Sequence, residues 1–396
     1  MTDATFFDTP HRRATAWGAV LSMSLSVAML IAAEFMPVSL LTPMAQGLGA
    51  SEGATGQAIS ISGLFALAAS LLITTVAGGF NRKWVLVGLT ALMLLSLIMV
   101  ALAPNFAVLM IARALLGICI GGFWALAAAV MMRLVPAQDL PRALSIMYGG
   151  QAMAAAFAAP VGSYLGEVLG WREVFWALTP IVAINLIWHL IALPSLPAQG
   201  RQSLGSLIAL LHRPYFRRAL IAAMLTWGSA FTMFTFLRPF LEQVTRVSPE
   251  ALSALLLVLG LAGFVGTWAA GRFVRGQVAP VLKLPPLIMG AVTLALIFAG
   301  SLPLAVAALL AIWGATNTAL SVIFMTWMSQ NVDDAPEAAG SLLVAAIQAS
   351  ILLGAVIGGL LLDRFSITAT FAGSVVLAVL AVALIGNGQR LLKPNH

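Results

Sequence analysis

The sequence has little of what metal sites, disulfide frameworks and soluble surfaces are built from. Of its 396 residues only 8% are charged, and there is one cysteine, Cys119. A single cysteine excludes an intramolecular disulfide and any metal site made of several thiolates. The four histidines are His11, His189, His212 and His396. They are scattered without ligand spacing, so we expect neither a metal ion nor another cofactor.

Apolar residues, in contrast, are abundant. They make up 61% of the chain, and the mean hydropathy is +1.03. Such a composition is typical of a polytopic membrane protein, since a soluble fold keeps a charged exterior. The formal net charge of +7 does not indicate nucleic-acid binding, because the basic residues stand in short groups between apolar runs.

Twelve apolar segments are long enough to cross a bilayer. They are expected at about 16–41, 54–79, 84–103, 106–132, 143–168, 173–193, 219–241, 251–271, 282–301, 304–329, 339–361 and 368–388. All should be helices, because the backbone of an open sheet finds no hydrogen-bond partners in lipid. We therefore predict an all-α polytopic membrane protein with twelve transmembrane helices.

The longest polar connection falls in the middle of the chain, at 194–218. We predict that it links an N-terminal six-helix bundle, 1–193, to a C-terminal six-helix bundle, 219–396. Weak internal similarity supports two pseudo-repeats, since Ala77–Phe80 resembles Ala270–Phe273. Two related bundles that rock around a site near the midplane are the layout of a transporter.

The basic residues predict the orientation of the chain. With the N-terminus in the cytoplasm, most of the 20 Lys and Arg residues fall in cytoplasmic segments. We therefore expect a bacterial inner-membrane protein with both termini and the central linker in the cytoplasm. Within the linker, the stretch Leu204–Leu211 has two interpretations: a plain connection, or a short amphipathic helix on the membrane surface.

Glu34 is a carboxylate inside the first apolar run, three residues before Pro37. A charge left in hydrocarbon costs about 3 kcal/mol or more, so this group must be neutralised, paired or hydrated. One interpretation is that Glu34 faces a central cavity and takes up and releases the transported proton. The alternative is that it lies near the outer surface and is solvated.

Arg113 lies in the fourth apolar run and is followed at four-residue intervals by Gly117 and Gly121. At 3.6 residues per turn, these residues and Trp124 share one helix face. We expect Arg113 to act with Glu34 in proton coupling. The structural alternative is that its guanidinium only binds helix carbonyl groups together.

Five side chains are candidates for binding the substrate: Trp124, Gln151, Arg238, Asn317 and Gln348. The three amides stand alone in apolar runs and suit a neutral polar solute, and Trp124 offers an aromatic face. Arg238 either binds an anion or an acid, or extends to the membrane interface.

The seventh apolar run carries aromatic residues at helical spacing, namely Trp227, Phe231 and Phe234. A stripe of this kind is more often a packing surface than a platform for stacking a base. We interpret it as packing.

Several motifs resemble those of the major facilitator superfamily, and the resemblance covers the whole chain. Leu109–Gly117 is similar to the fourth-helix motif, an arginine followed four residues later by glycine. Ala159–Gly166, closed by Gly170–Phe175, resembles the fifth-helix motif of the drug:proton antiporter branch. Together with Glu34–Leu41, these motifs resemble the arabinose-efflux-like permeases, and the sequences of Glu34–Gln46 and Gly121–Ala125 are similar to those of purine ribonucleoside efflux pumps.

The resemblance also implies gating elements. Pro160 and Gly162 would form a hinge in the fifth helix, and Gly117 would belong to the fourth-helix motif. In the loop after the second helix, Asn81 stands before Arg82 where the superfamily normally has an aspartate. Asparagine caps a helix but forms no charge pair, which puts the gating role of this loop in question.

Together these features predict a proton-coupled antiporter that exports a small polar organic solute, with purine ribonucleosides as the best guess. Sugar or multidrug efflux by the same fold is the alternative, and proton-driven uptake is a nearer rival. A membrane-embedded enzyme or sensor is the alternative from another class, but no acid cluster or set of catalytic groups is found in the spans. The expected partners are a small-molecule substrate, protons and the lipid bilayer, and we expect a monomer without nucleic acid.

Overall fold

A computed structural model describes residues 10–77, 79–136, 139–197, 204–273, 278–332 and 334–394. Across these ranges the regular secondary structure consists of helices, and no strand is found in them. The predicted all-α fold is confirmed. The predicted helix bounds agree with the observed ones to within a few residues at most ends.

Twelve long helical segments account for most of the described residues. They are α1 (Pro10–Ser39), α2 (Glu52–Val76), α3 (Arg82–Ala101), α4 (Phe106–Leu134), α5 (Leu140–Val168), α6 (Trp171–Ala192), α7 (Pro214–Phe234), α8 (Pro249–Phe273), α9 (Leu284–Ala299), α10 (Pro303–Asn331), α11 (Pro336–Arg364) and α12 (Ile367–Ile385). After a bend of 48°, α7 continues as Leu237–Thr245. Short helices cover Leu41–Leu48, Leu204–Leu211, Val278–Val281 and Gln389–Leu391.

Ten of these segments are long and apolar enough to cross a membrane, and the bent α7 makes an eleventh. The remaining one is α5, which has 29 residues and is rich in glycine and alanine. Its small residues suit close helix packing in a bilayer. The pattern fits twelve crossings.

Polar side chains in the connections fix several helix starts. Ser51, Asn81, Asn105 and Ser366 each accept a hydrogen bond from a main-chain N–H in the first turn of α2, α3, α4 and α12. Such caps satisfy N–H groups that have no partner inside the helix. At the start of α6, Gly170 has a φ of 107°, a conformation that favours glycine.

The buried apolar side chains form two clusters. One is drawn from α1 to α6, and the other mainly from α7 to α12. Four residues from the part of the chain before the central linker join the second cluster: Val38, Leu41, Ile59 and Ala159. The two clusters therefore meet along a seam, and the bundle boundaries proposed at 193 and 219 stay a prediction.

Glycines bring α2 and α4 into backbone contact. A β-carbon added to Gly117 would lie 2.9 Å from Ser62 Cα, and Gly121 packs on α2 in the same way. The second set of helices repeats this arrangement, since a β-carbon on Gly314 of α10 would lie 3.1 Å from Leu259 Cα of α8. These glycines serve close approach between helices.

The bundle has two ends, which we name by what they carry. The linker end holds the central linker and the α2–α3 connection, and the far end holds the α1–α2 connection and the end of α11. At the linker end, Leu204–Leu211 is a helix that contacts α7 and α11. Its side chains Leu207 and Leu210 are buried, so this helix packs on the protein.

Candidate functional site

Two helix pairs join the first six helices to the last six. Along α2 and α11, a β-carbon on Gly63 would lie 3.0 Å from the main-chain oxygen of Gln348. Between α5 and α8, Gly260 lies against the backbone of Ala156. The candidate substrate residue Gln348 is 4% exposed, and it lies within the seam.

A cavity opens between these helix pairs. It has a volume of about 620 Å³ when the space open to solvent is counted. Its walls come from α1, α5, α7, α8 and α10 and include Phe35, Ala155, Phe231, Phe234, Gly263, Trp313, Asn317 and Thr318. In the described part of the chain, none of the lining residues is ionisable.

Aromatic rings form one wall of this cavity. The ring centroids of Phe35 and Phe234 are 5.8 Å apart in an edge-on arrangement. Those of Phe234 and Trp313 are 5.7 Å apart with an interplanar angle of 12°. The stripe on α7 is thus a cavity wall at Phe231 and Phe234 and a packing surface at Trp227, which contacts a ring of α10.

The predicted polar residues are only partly brought together. Asn317 lines the cavity, and the chain neighbour of Gln151 also lines it. Trp124 stacks on Tyr148 with ring centroids 5.9 Å apart, away from the cavity wall. The indole Nε1 of Trp313 is buried and has no hydrogen-bond partner in the described ranges. Sequence reasoning did not single out Phe35, although it lies within the Glu34–Gln46 segment, or Trp313, which stands in an apolar run without a motif.

Glu34 lies on α1 directly before the cavity residue Phe35. It is 5% exposed, which disfavours the alternative of a carboxylate solvated at the protein surface. Its carboxyl group has no hydrogen-bond partner among the residues that the structure describes. A role for Glu34 in proton coupling stays a prediction.

Arg113 is fully buried beside Glu34. Its guanidinium donates to the main-chain oxygen of Ala33 at 2.7 Å, to that of Ala58 at 3.0 Å and to Ser62 Oγ at 3.1 Å. Within the described ranges the only ion pairs are two others, so Arg113 and Glu34 form none within 4.0 Å. Arg113 therefore connects α1, α2 and α4 while its charge stays near the Glu34 carboxyl.

Arg238 lies at the far end, in the extension of α7. Its Nε donates to Glu242 Oε1 at 2.7 Å, and its Nη1 donates to the main-chain oxygen of Ser39 on α1. It is 6% exposed, so it does not extend to the membrane interface. Its guanidinium contacts an acid of the same chain and joins the last six helices to the first six, and a role of Arg238 in substrate binding stays a prediction.

A network of polar side chains continues this contact across the seam. Thr42 Oγ1 lies 2.8 Å from Glu52 Oε1 and 2.6 Å from Glu242 Oε2. Gln243 Nε2 donates to Glu52 Oε2 at 3.0 Å. These residues lie 191 to 200 positions apart across the seam, and no sequence motif connects them.

Asp363 adds a second link at the far end. Its carboxylate accepts hydrogen bonds from Ser51 Oγ at 2.9 Å and from the main-chain N–H of Gly53 at 3.2 Å. An acid from the end of α11 thus sits at the N-terminus of α2, where the helix dipole favours negative charge. Together with the Thr42 and Arg238 contacts, it closes the far end.

At the linker end, Asn81 caps α3 as the sequence predicts. Its Nδ2 donates to Ser195 Oγ at 2.7 Å, and its Oδ1 accepts from the N–H of Leu196 at 2.9 Å. Arg82 donates to the main-chain oxygen of Ala77 at 2.6 Å. These contacts stay within the first six helices and the start of the central linker. Asn81 and Arg82 therefore stabilise the loop, and neither bridges the seam in this structure.

The fifth-helix residues lie against α1. Pro160 is buried within α5. A β-carbon on Gly162 would lie 2.9 Å from Ser39 Oγ and 3.4 Å from Met36 Cγ. Because Ser39 also accepts from Arg238, this part of α5 packs beside the far-end contact.

Comparison with known proteins agrees with this architecture. The sequence profile of the Major Facilitator Superfamily matches residues 23–343. The chain is 45% identical over 372 residues to the transcription regulatory protein OpdE of Pseudomonas aeruginosa, covering 93% of this chain and 92% of that protein. It is 38% identical over 369 residues to the purine ribonucleoside efflux pump NepI of Escherichia coli, covering 93% of both.

Solved structures show the same fold at low sequence identity. The nucleoside transporter NupG aligns with a TM-score of 0.76 and 16% identity, over 93% of this chain and 99% of that one. A D-xylose–proton symporter aligns with a TM-score of 0.77 and 15% identity, over 94% and 97%. The chain belongs to the Major Facilitator Superfamily, and it is a membrane transporter rather than an enzyme.

Proposed function

We propose that this protein exports a small, uncharged, polar organic solute from the cytoplasm in exchange for protons, with purine ribonucleosides as the leading candidates. The observation that carries the proposal is the cavity between the two sets of helices. It combines stacked aromatic rings with the Asn317 amide and has no ionisable residue in its described lining. A neutral solute with a flat ring suits such a lining.

The energetics favour an aromatic solute over a sugar. Stacking a base on an aromatic side chain contributes about 1–3 kcal/mol. The rings of Phe234 and Trp313 offer such a surface, and Asn317 offers a hydrogen-bond donor and acceptor for a base or a ribose. A cationic drug would find no carboxylate in the lining. The efflux pump NepI, to which this chain is similar, supports the nucleoside candidate.

The hydrogen bonds that cross the seam suit an exporter ready to load. Within the described ranges, the hydrogen bonds between the first and the last six helices lie towards the far end. With the linker end in the cytoplasm, as the basic residues predict, this state is closed to the outside. The cavity would then be reached from the cytoplasm.

Proton exchange supplies enough free energy for export. Moving one charge across the membrane contributes about 2.3 kcal/mol per 100 mV, which is enough for a roughly fiftyfold solute gradient. Glu34 is the proposed proton site, because it is buried on α1 directly before the cavity residue Phe35. Main-chain carbonyl oxygens hold Arg113 beside Glu34. When Glu34 is protonated and therefore neutral, the positive charge of Arg113 would repel any further cation.

Efflux from vesicles tests the proposal. Vesicles that contain the protein are loaded with labelled inosine, arabinose or a cationic dye, with and without a pH gradient. We expect gradient-driven inosine movement and little movement of the dye. If only arabinose moves, the substrate is a sugar and not a nucleoside. If none of the three solutes moves, the proposed substrates are wrong. A regulatory role, as the name of the relative OpdE states for that protein, would then become the leading hypothesis.

A further inference from the structure

Thr42 lies between two carboxyl groups that belong to opposite sides of the seam. Its Oγ1 is 2.8 Å from Glu52 Oε1 on α2 and 2.6 Å from Glu242 Oε2 in the extension of α7. Both distances are those of O–H···O hydrogen bonds. The hydroxyl therefore bridges the two sets of helices.

The bridge needs one proton more than it would have if both carboxyl groups were ionised. A threonine hydroxyl has one proton and donates one hydrogen bond, and an ionised carboxylate only accepts. If Thr42 donates to one acid, its second short contact is a hydrogen bond only when the other acid is protonated and donates to Thr42 Oγ1. With both acids ionised, two oxygen lone pairs would face each other at one of these distances.

The charges around the bridge also favour a bound proton. Arg238 is the cation that contacts these acids, and it donates to Glu242 Oε1 and to the Ser39 carbonyl. On the other side, Gln243 gives Glu52 a neutral amide donor. Asp363, which faces the start of α2 from α11, is bonded to Ser51 and Gly53 and takes no part in the bridge. One guanidinium thus stands against the two carboxyl groups that contact Thr42, and carboxylates that share a site hold a proton between them.

We propose that the closed far end binds a proton shared by Glu52 and Glu242 across Thr42, and that loss of this proton separates the two sets of helices there. The closed state binds one proton more than the open state, so its population rises as the pH falls. This site is distinct from Glu34, since it lies in the seam contact and not beside the cavity. The role of this site in transport rests on the proposed proton antiport. In that cycle, proton uptake from the outside would close the far end.

A distance measurement across the far end tests this inference. Labels are attached at Leu169→Cys, at the end of α5, and Phe365→Cys, at the end of α11, in a Cys119→Ser background. Leu169 and Phe365 are 55% and 74% exposed, and Cys119 is buried. In the full-length protein in lipid, we expect a short label distance at acidic pH and a growing population at long distance as the pH rises.

Three variants separate the shared proton from other causes. Glu52→Gln places an amide that always donates to Thr42, so the far end should stay closed at every pH. Thr42→Val keeps the shape but removes the bridge, so closure at acidic pH should weaken. Ser51→Ala removes the hydroxyl contact to Asp363 and the side-chain cap of α2 but leaves the Thr42 bridge in place, so it should keep the wild-type pH midpoint. Glu242→Gln replaces Glu52→Gln if the latter does not fold.

Two results would overturn the inference: a label distance that does not change with pH in the wild type, or an unchanged pH midpoint in both Glu52→Gln and Thr42→Val. Because the distance is read without substrate, this failure differs from a failure of the proposed function. If the far end responds to pH but the protein exports none of the tested solutes, the shared-proton inference is kept and the proposed antiport is rejected.

Discussion

Arg113 donates a hydrogen bond to the main-chain oxygen of Ala33, at 2.7 Å, immediately before the Glu34 carboxylate in the chain. Two further acceptors, the Ala58 carbonyl and Ser62 Oγ, come from α2. The sequence left two interpretations of this arginine, a binder of helix carbonyls and a partner of the acid. The geometry combines them, because the hydrogen bonds that hold three helices together also fix the positive charge beside Glu34.

Removing Arg113 should therefore lower the stability of the protein first, ahead of any effect on proton coupling. Arg113→Ala removes three buried hydrogen bonds, and a buried group that is left without a partner costs about 1–3 kcal/mol. We expect a large loss of thermal stability in detergent. Arg113→Lys keeps the charge but lacks the planar set of donors, so it should restore only part of the stability. An Arg113→Ala protein as stable as the wild type would refute the structural role.

Glu34→Gln tests the proton site directly. The glutamine amide has nearly the shape of the glutamate carboxyl group but cannot bind and release a proton. We therefore expect the variant to exchange substrate between equal pools but not to concentrate it with a pH gradient. Counterflow and gradient-driven accumulation of the same labelled solute measure the two activities. Glu167→Gln, on an exposed acid of α5, is the matched control and should behave like the wild type. Normal accumulation by Glu34→Gln would move the proton site elsewhere.

The sequence predicted the helices well because hydrophobic length determines them. A run such as 106–132 crosses a bilayer whatever it packs against, and α4 is observed at Phe106–Leu134. Glu34 was visible as a lone acid in an apolar run, and Arg113 and the glycines of α4 were visible from their spacing along one helix. These features depend on neighbours within a few turns.

Contacts across the bundle were not visible in the same way. Nothing in the sequence pairs Thr42 with Glu242, which lies 200 residues away. His189 was counted among scattered histidines, yet its ring lies 3.2 Å from Ser26 Oγ and 3.1 Å from Thr90 Oγ1, on two other helices. Such groups form only when the helices are rotated and packed, and apolar periodicity specifies neither.

Gly117→Ala should disturb the packing of α2 on α4. The added methyl group meets the backbone of Ser62, where a β-carbon would lie 2.9 Å from Cα. Backbone cannot move aside as a flexible side chain can, and overpacking of this kind costs about 1–3 kcal/mol. Gly149→Ala is the control, because nothing lies within 4 Å of a β-carbon there. Thermal unfolding should show a loss for Gly117→Ala only, and equal midpoints for both variants would contradict the close approach.

Phe234→Ala should weaken substrate binding beyond its effect on stability. The ring stacks on Trp313 in the cavity wall, and loss of stacking with a base costs about 1–3 kcal/mol, so the KM for inosine should rise about fivefold or more. Phe324→Ala removes a buried ring that contacts Trp227 and does not line the cavity. It controls for the loss of packing, and it should leave the KM unchanged. An equal rise in both variants would show that the cavity wall is not the binding surface.

Asp334→Asn should change stability in a manner that depends on pH. At the linker end, Arg213 donates to both carboxylate oxygens of Asp334, at 2.9 and 2.6 Å, and these hydrogen bonds lower the pKa of Asp334 to about 2. A carboxyl group whose pKa is depressed by folding stabilises the fold above its ordinary pKa, and this contribution is lost as the pH falls towards about 2. The side chains are 32% and 45% exposed, so solvent screening limits the pair to about 1 kcal/mol or less. We expect a small deficit in the unfolding midpoint of Asp334→Asn at neutral pH, which shrinks in acid and in high salt. A deficit that grows as the pH falls would mean that the aspartate acts through something other than its charge pair with Arg213.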